Sequence, residues 1–119
     1  MNWYLTKIVF RIICGDGSHK AQFDEQLRLI AAGCKEEAFH KAQLLGAKAE
    51  DMFFNQQEQL VQWRFISVSE IYQLQELMDG AELYSRVEET EDAGSYLKFV
   101  YAKAEHIRFG ITHELLNLA

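Results

Sequence analysis

The amino-terminal segment Trp3–Cys14 constrains the fold more than any other part of the chain. It consists almost wholly of β-branched, aromatic and aliphatic residues, which fit the pleated surface of a strand. Its even-numbered residues carry no charge, whereas Lys7 and Arg11 stand among the odd-numbered ones. The segment predicts a long strand whose even face is the floor of the core. The odd face is also rich in apolar residues, so we expect a helix, the tail or another subunit to cover it.

The whole chain has 119 residues, 49% of them hydrophobic, and a net charge of −6. We expect one domain over residues 1–110, followed by an amphipathic tail over 111–119 that docks on the domain or meets another subunit. An acidic balance argues against nucleic-acid binding, which depends on neutralising phosphates, and suits a basic protein partner. The sequence predicts neither a signal peptide nor a membrane span. Two cysteines, Cys14 and Cys34, are too few for a disulfide framework, so we expect reduced thiols and a cytoplasmic protein.

A first hairpin is predicted around the turn residues Gly15–Ser18. The second strand runs from about Gln22 to Ala32. With the turn centred between Gly17 and Ser18, Arg11 faces Asp24 and Ile12 faces Phe23. This register adds further residues to the uncharged even face of the first strand: Phe23, Glu25, Leu27 and Leu29. A carboxylate on an apolar face makes Glu25 the unusual residue of the set.

Helical spacing of small and apolar residues predicts a helix after Gly33, with Gly46 as its stop. A second hairpin follows over Asp51–Val68, with residues 55–58, which end in Glu58, as its turn. Its strand after Leu60 carries apolar residues on both faces: Val61, Trp63 and Phe65 on one, Ile66 and Val68 on the other. Two apolar faces favour a central strand or an oligomer contact.

The rest of the chain is less uniform. The segment Ser69–Met78 fits a strand or a helical turn equally well. Alternation over Ala81–Glu88, after an Asp79-Gly80 turn, predicts a further strand. A final helix is predicted over Glu91–Arg108, with Gly110 as its stop. The order β-β-α-β-β-β-α predicts an α+β fold with a mainly antiparallel sheet and two helices packed on it.

Five short segments carry a family resemblance: Trp3-Tyr4, the run Phe23–Ile30, Glu36-Glu37-Ala38, Trp63-Arg64-Phe65 and the run Asp79–Arg86. Together they resemble an uncharacterised bacterial family, domain of unknown function 4288. The resemblance spans most of the chain. It departs at Cys34, where a stronger helix cap such as Ser or Asp is expected. It implies no activity, substrate or catalytic residues.

The sequence contains few residues with the spacing of a chemical site. The four histidines lack metal-ligand spacing, so we expect no metal and no cofactor. A Glu25 carboxylate buried on the apolar face would have a raised pKa, as a general acid requires, whereas near the open end of the sheet it would be solvated or salt-bridged, which we favour. Three arginines with a tyrosine on one sheet face would bind an anion, although paired surface arginines are commoner. The candidate ligand-binding residues are Glu25, Arg28, Arg64, Tyr84 and Arg86.

Three functions are consistent with these patterns. The first, which we favour, is a non-catalytic oligomeric binding or structural module that self-associates as a homodimer or larger assembly. The second is an acidic immunity- or antitoxin-like inhibitor of a basic partner protein. The third is a small-ligand-binding or hydrolytic protein that uses Glu25 with nearby arginines.

Overall fold

The computed structural model describes the backbone of residues 1–118 and the side chains of residues 1–112. The chain forms two compact units, Met1–Ser85 and Arg86–Ala119. The elements are β1 (Asn2–Cys14), β2 (Gln22–Ala32), α1 (Lys35–Lys48), β3 (Asp51–Phe54), β4 (Leu60–Leu74) and α2 (Ala93–Leu118). The α+β class and the antiparallel sheet are confirmed, because all three strand pairings are antiparallel.

The sheet has the strand order β2-β1-β4-β3, so β1 is central. Four even-numbered residues of β1, Tyr4, Thr6, Ile8 and Phe10, are at most 3% exposed. Helix α1 covers this face, and two of its alanines, Ala38 and Ala42, are fully buried. The predicted core floor is confirmed, and we call it the core face. The opposite face is called the open face.

The register of the first hairpin differs from the predicted one by one residue. Arg11 lies opposite Phe23 and Val9 opposite Glu25, so the predicted Arg11–Asp24 pair is wrong. The connection after Cys14 is longer than a tight turn and holds two positive-φ glycines, Gly15 and Gly17. A one-residue slip moves every side chain of a strand to the other face. The odd-numbered residues of β2 therefore lie on the open face, and Glu25 is exposed.

Strand β4 contains two extra residues relative to β1. The register skips Ser69 between Lys7 and Ile8, and skips Ile66 between Val9 and Phe10. Each skip inserts one unpaired residue and reverses the alternation of faces beyond it, as a β-bulge does. Val68 consequently joins Phe65 on the core face, opposite Ile8. The expectation of two apolar faces was wrong, because it counted alternation through the bulges. The predicted central position of the strand is confirmed, since β4 lies between β1 and β3.

Segment Ser69–Met78 resolves as strand as far as Leu74. The predicted turn at Asp79-Gly80 is present, since Gly80 has φ +84° and the Ala81 N–H donates to the Met78 carbonyl. The predicted strand over 81–88 is wrong: that segment is irregular, and none of the described strands pairs with it. Alternating apolar and polar residues do not form a stable strand when no neighbouring strand pairs with them.

Helix α1 begins after Cys34, whose side chain makes no cap bond. The Glu37 carboxylate accepts a bond from the Gly33 N–H at 2.9 Å instead. Gly46 does not stop the helix, which continues to Lys48. Gly46 is buried against the ring of Phe65, so it is a close-approach residue and the predicted stop was wrong.

Helix α2 has 26 residues and a defined start. The Asp92 carboxylate accepts bonds from the Ser95 hydroxyl at 2.6 Å and from the Ser95 N–H at 3.0 Å, and these bonds lower the pKa of Asp92. The predicted end at Arg108 was wrong, because the helix runs through Gly110. A single glycine costs a helix only about 1 kcal/mol. Side chains of the predicted tail beyond Thr112 lie outside the described residues.

Candidate functional site

A polar cluster lies on the open face, where β1 meets β4. Lys7 and Glu70 are direct cross-strand partners, and the Lys7 Nζ lies 2.8 Å from a Glu70 carboxylate oxygen. The Tyr72 hydroxyl donates to the other carboxylate oxygen, also at 2.8 Å. Tyr84 comes from the segment after β4, and its ring packs edge-on against Tyr72 with centroids 5.5 Å apart. We call these four residues the Lys7 cluster.

The protonation states of the Lys7 cluster argue against Lys7 or Tyr72 as a nucleophile or general base at neutral pH. The hydrogen bond that Lys7 donates to Glu70 raises the pKa of Lys7; burial lowers it by a smaller amount, and the charges of Glu70 and Glu25 raise it further. The hydrogen bond to Glu70 also raises the pKa of Tyr72. A nucleophilic or basic lysine needs a lowered pKa. At neutral pH Lys7 is charged and Tyr72 neutral, so the cluster stabilises structure and presents a surface.

A cleft of about 480 Å³ opens beside this cluster, between the end of β4 and the segment that follows it. Apolar side chains on its wall include Leu74 and Met78, with the rings of Tyr72 and Tyr84. The described residues that line it also include two carboxylates and no Lys or Arg. The carboxylates belong to Glu76 and Glu82. The cleft is therefore suited to a ligand that is cationic and partly apolar.

The structure separates the sequence-predicted site residues. Glu25 lies on the open face and adds to the electrostatic environment of Lys7, as does Tyr84. Arg28 is a core-face residue at the margin of the sheet, where its exposed guanidinium donates to the Gln26 amide oxygen at 2.8 and 3.0 Å.

The other two predicted arginines lie elsewhere. Arg64 is exposed and stands directly opposite Arg11. Arg86 belongs to the second compact unit and pairs with Glu88. Of the five predicted residues, Tyr84 belongs to the Lys7 cluster and Glu25 acts on it through its charge.

Sequence reasoning missed Lys7, Glu70 and Tyr72 as members of that cluster. Lys7 gave a signal, since it and Arg11 are the two charged residues in an otherwise apolar stretch of strand. Glu70 belongs to the segment Ser69–Met78, which fitted a strand and a helical turn equally well. The local sequence pattern therefore could not place Glu70 opposite Lys7. Among the described residues, no group of three or more His, Cys, Asp or Glu side chains is placed to hold a metal ion.

A second surface feature is the outer margin of β2. Three of its open-face side chains are large, apolar and about half exposed: Phe23 (54%), Leu27 (50%) and Leu29 (47%). Strand β2 has 11 residues, and none of the described strands pairs with its outer edge. A long edge strand with exposed apolar residues is a template for pairing with another chain. We call this feature the β2 edge.

Comparison with family models gives a match over residues 3–85 to DUF4288, a domain of unknown function. The chain belongs to this family. The match ends at the same residue as the first compact unit, so the DUF4288 domain comprises the sheet, α1, the Lys7 cluster and the cleft. Helix α2 lies beyond it. The chain matches no curated protein and no solved structure. None of the described helices is both long enough and apolar enough to cross a membrane.

Proposed function

We propose that this DUF4288 protein is a non-catalytic module that self-associates, as a homodimer or a larger assembly. The observation that carries the proposal is the distribution of apolar side chains around α2. Four large ones, Phe99, Tyr101, Ile107 and Phe109, are between 57% and 71% exposed in the single chain.

These four side chains do not share one stripe. With 3.6 residues per turn, successive side chains of this set point about 80° apart around the helix axis, in the order Tyr101, Phe109, Phe99 and Ile107. A helix that is apolar all round is typical of a buried position. Association of chains would bury the surface that the single chain leaves in water.

The protonation states described above support the non-catalytic part of the proposal. Lys7 is held charged by Glu70, and Glu25 is exposed on the open face and not buried on the core face. The cleft supplies a surface for binding without a paired nucleophile and base. Binding, including binding of another copy, is the function that these features favour.

Light scattering after size-exclusion chromatography tests self-association. The full-length protein should have the molar mass of a dimer or larger at tens of micromolar. Replacing Ile107→Gln and Phe109→Gln together should lower the mass, because both changes make the helix surface polar. Glu105→Gln is the matched control, since it places the same side chain on the same helix without removing an apolar group. A monomeric wild type throughout the concentration range would contradict the proposal.

The cleft favours a second candidate function, recognition of a basic partner protein. Arg and Lys side chains pair with carboxylates and stack on aromatic rings, and Glu76, Glu82, Tyr72 and Tyr84 offer both. Calorimetric titration with a short arginine-rich peptide should show binding that weakens with salt. The double variant Glu76→Gln, Glu82→Gln should weaken it, whereas Glu58→Gln, on the distant β3–β4 turn, should not. Equal affinities for both variants would exclude the cleft.

A further inference from the structure

We propose that β2 of one chain pairs with β2 of a second copy, antiparallel and centred on Gln26, so that the two sheets become one. This inference rests on the proposed self-association and adds the β2 edge to α2 as a surface that takes part in it. The opposite margin of the sheet offers a much shorter outer strand, because β3 has only four residues. The β2 edge has 11 residues and carries exposed apolar side chains.

The charge pattern of β2 selects one register. A two-fold axis perpendicular to the sheet through Gln26 pairs residues that lie equally far from Gln26 on opposite sides of it. Asp24 then faces Arg28 of the second copy, and the symmetry repeats this pair. Phe23 faces Leu29 of the second copy on the open face, and the two Gln26 amides face each other. Opposite charges and apolar pairs directly across strands both stabilise a ladder.

Neighbouring registers that keep the two open faces continuous are poorer. An axis through Glu25 places two carboxylates opposite each other, and an axis through Asp24 does the same. An axis through Arg28 opposes two guanidinium groups. An axis through Leu27 sets Asp24 against Ile30 and Glu25 against Leu29. The Gln26 register alone among these joins opposite charges, although it also sets Glu25 opposite Leu27 of the second copy.

The side chains that would meet across the two-fold axis are already ordered in the single chain. The Gln26 amide donates to the Asp24 carboxylate at 2.6 Å, and the Arg28 guanidinium donates to the Gln26 oxygen. The Trp63 indole N–H also donates to Asp24, at 3.1 Å. A row that reads acid, amide, base along one strand meets base, amide, acid on the antiparallel copy. Little additional ordering is required when the two rows come together.

Disulfide trapping tests the register directly. Residues opposite each other in an antiparallel pair have Cα atoms about 4.5–5.5 Å apart, within the range that a disulfide spans. In a full-length background with Cys14→Ser and Cys34→Ser, mild oxidation should therefore link Gln26→Cys into a covalent dimer. Glu25→Cys and Leu27→Cys are matched controls, because each would lie about 8 Å from its own copy. An equimolar mixture of these two controls should link, since residue 25 faces residue 27.

A charge exchange provides the second test. Arg28→Glu places a carboxylate opposite Asp24 in both symmetry-related pairs and should raise the dimer Kd about tenfold, as should Asp24→Lys. Mixing the two variants should restore association, because both cross-strand pairs then join opposite charges. Arg64→Glu is the matched control for an exposed arginine outside β2. Arg28→Glu decides alone if Asp24→Lys, which loses the bond from Trp63, fails to fold.

The outcomes separate this inference from the proposed function. Trapping at residue 26 together with rescue in the mixture supports pairing through the β2 edge. A wild type of dimeric mass whose Gln26→Cys variant links no better than the two controls overturns the register, while self-association stands. A wild type that stays monomeric, with no trapping at residue 26, overturns both.

Discussion

Replacing Gly46→Ala should destabilise the DUF4288 domain, although alanine is the better helix former. A Cβ at this position would lie 2.4 Å from two ring carbons of Phe65 and 3.0 Å from a third. Ordinary carbon contacts are about 3.5–4.0 Å, so the ring must move by about 1 Å or more. It cannot move freely, because it packs against Phe10, which is 1% exposed, with centroids 6.0 Å apart.

Two opposing contributions decide the magnitude. Alanine in a helix interior gains about 0.8–1.0 kcal/mol over glycine. Overpacking a well-filled core costs about 1–3 kcal/mol. Because the clash involves a ring that is fixed from its other side, we expect the larger part of that range. The net expected loss is about 1–2 kcal/mol in the free energy of unfolding.

Urea denaturation followed by tryptophan fluorescence measures this loss, since Trp3 and Trp63 both lie in the first compact unit. Ala47→Gly on the exposed side of α1 is the matched control and measures helix propensity without a tertiary contact. In a Phe65→Leu background, Gly46→Ala should become neutral or stabilising. A higher midpoint for Gly46→Ala in the wild-type background would refute the close contact as the reason for glycine.

Three further predictions concern caps and charges. Cys34→Asp should raise the free energy of unfolding by about 1 kcal/mol in the same assay, because the extended Cys34 backbone suits a cap and its thiol makes no cap bond. The raised pKa values of Lys7 and Tyr72 mean that the folded state holds both protons more tightly, so stability is full below pH 10.0 and falls as the pH rises through those values. Glu70→Gln should make the urea midpoints at about pH 8 and 11 more nearly equal, and an unchanged difference would contradict this account. Asp92→Ala should reduce the helical circular dichroism, and the wild type should lose the same signal as the pH falls through the lowered pKa of Asp92.

Local pattern predicted the elements that carry most of the core. Strand β1 followed from its β-branched and aromatic run, α1 from the spacing of its alanines, and the β3–β4 hairpin from the turn that includes Glu58, whose φ is +60°. These features depend on neighbours within a few residues. A sequence window contains that information.

The errors arose where the length of a connection, a bulge or a contact between distant residues decided the geometry. The connection after Cys14 shifted β2 by one position and moved Glu25 to the open face. The pairing of Lys7 with Glu70 joins residues far apart in the chain, and it depends on where β4 ends and on its bulges. Gly46 was predicted to end α1 because glycine often follows the last turn of a helix. In the structure it lies within the helix, where the absence of a side chain leaves room for the ring of Phe65. Each error reflects a long-range contact that outweighs a local preference.

The two extra residues of β4 also constrain how chain length can vary in this family. Deleting Ser69 alone would remove one bulge and leave Val68 opposite Ile8 and Glu70 opposite Lys7, so both would keep their faces. Deleting Ile66 would likewise leave Phe65 and Ser67 in place. Deleting a paired residue such as Ser67 would instead turn over the residues on one side of it. We therefore expect single-residue gaps within β4 of DUF4288 chains to fall at the two bulge positions, and engineered deletion of Ser69 or Ile66 should be tolerated better than deletion of Ser67.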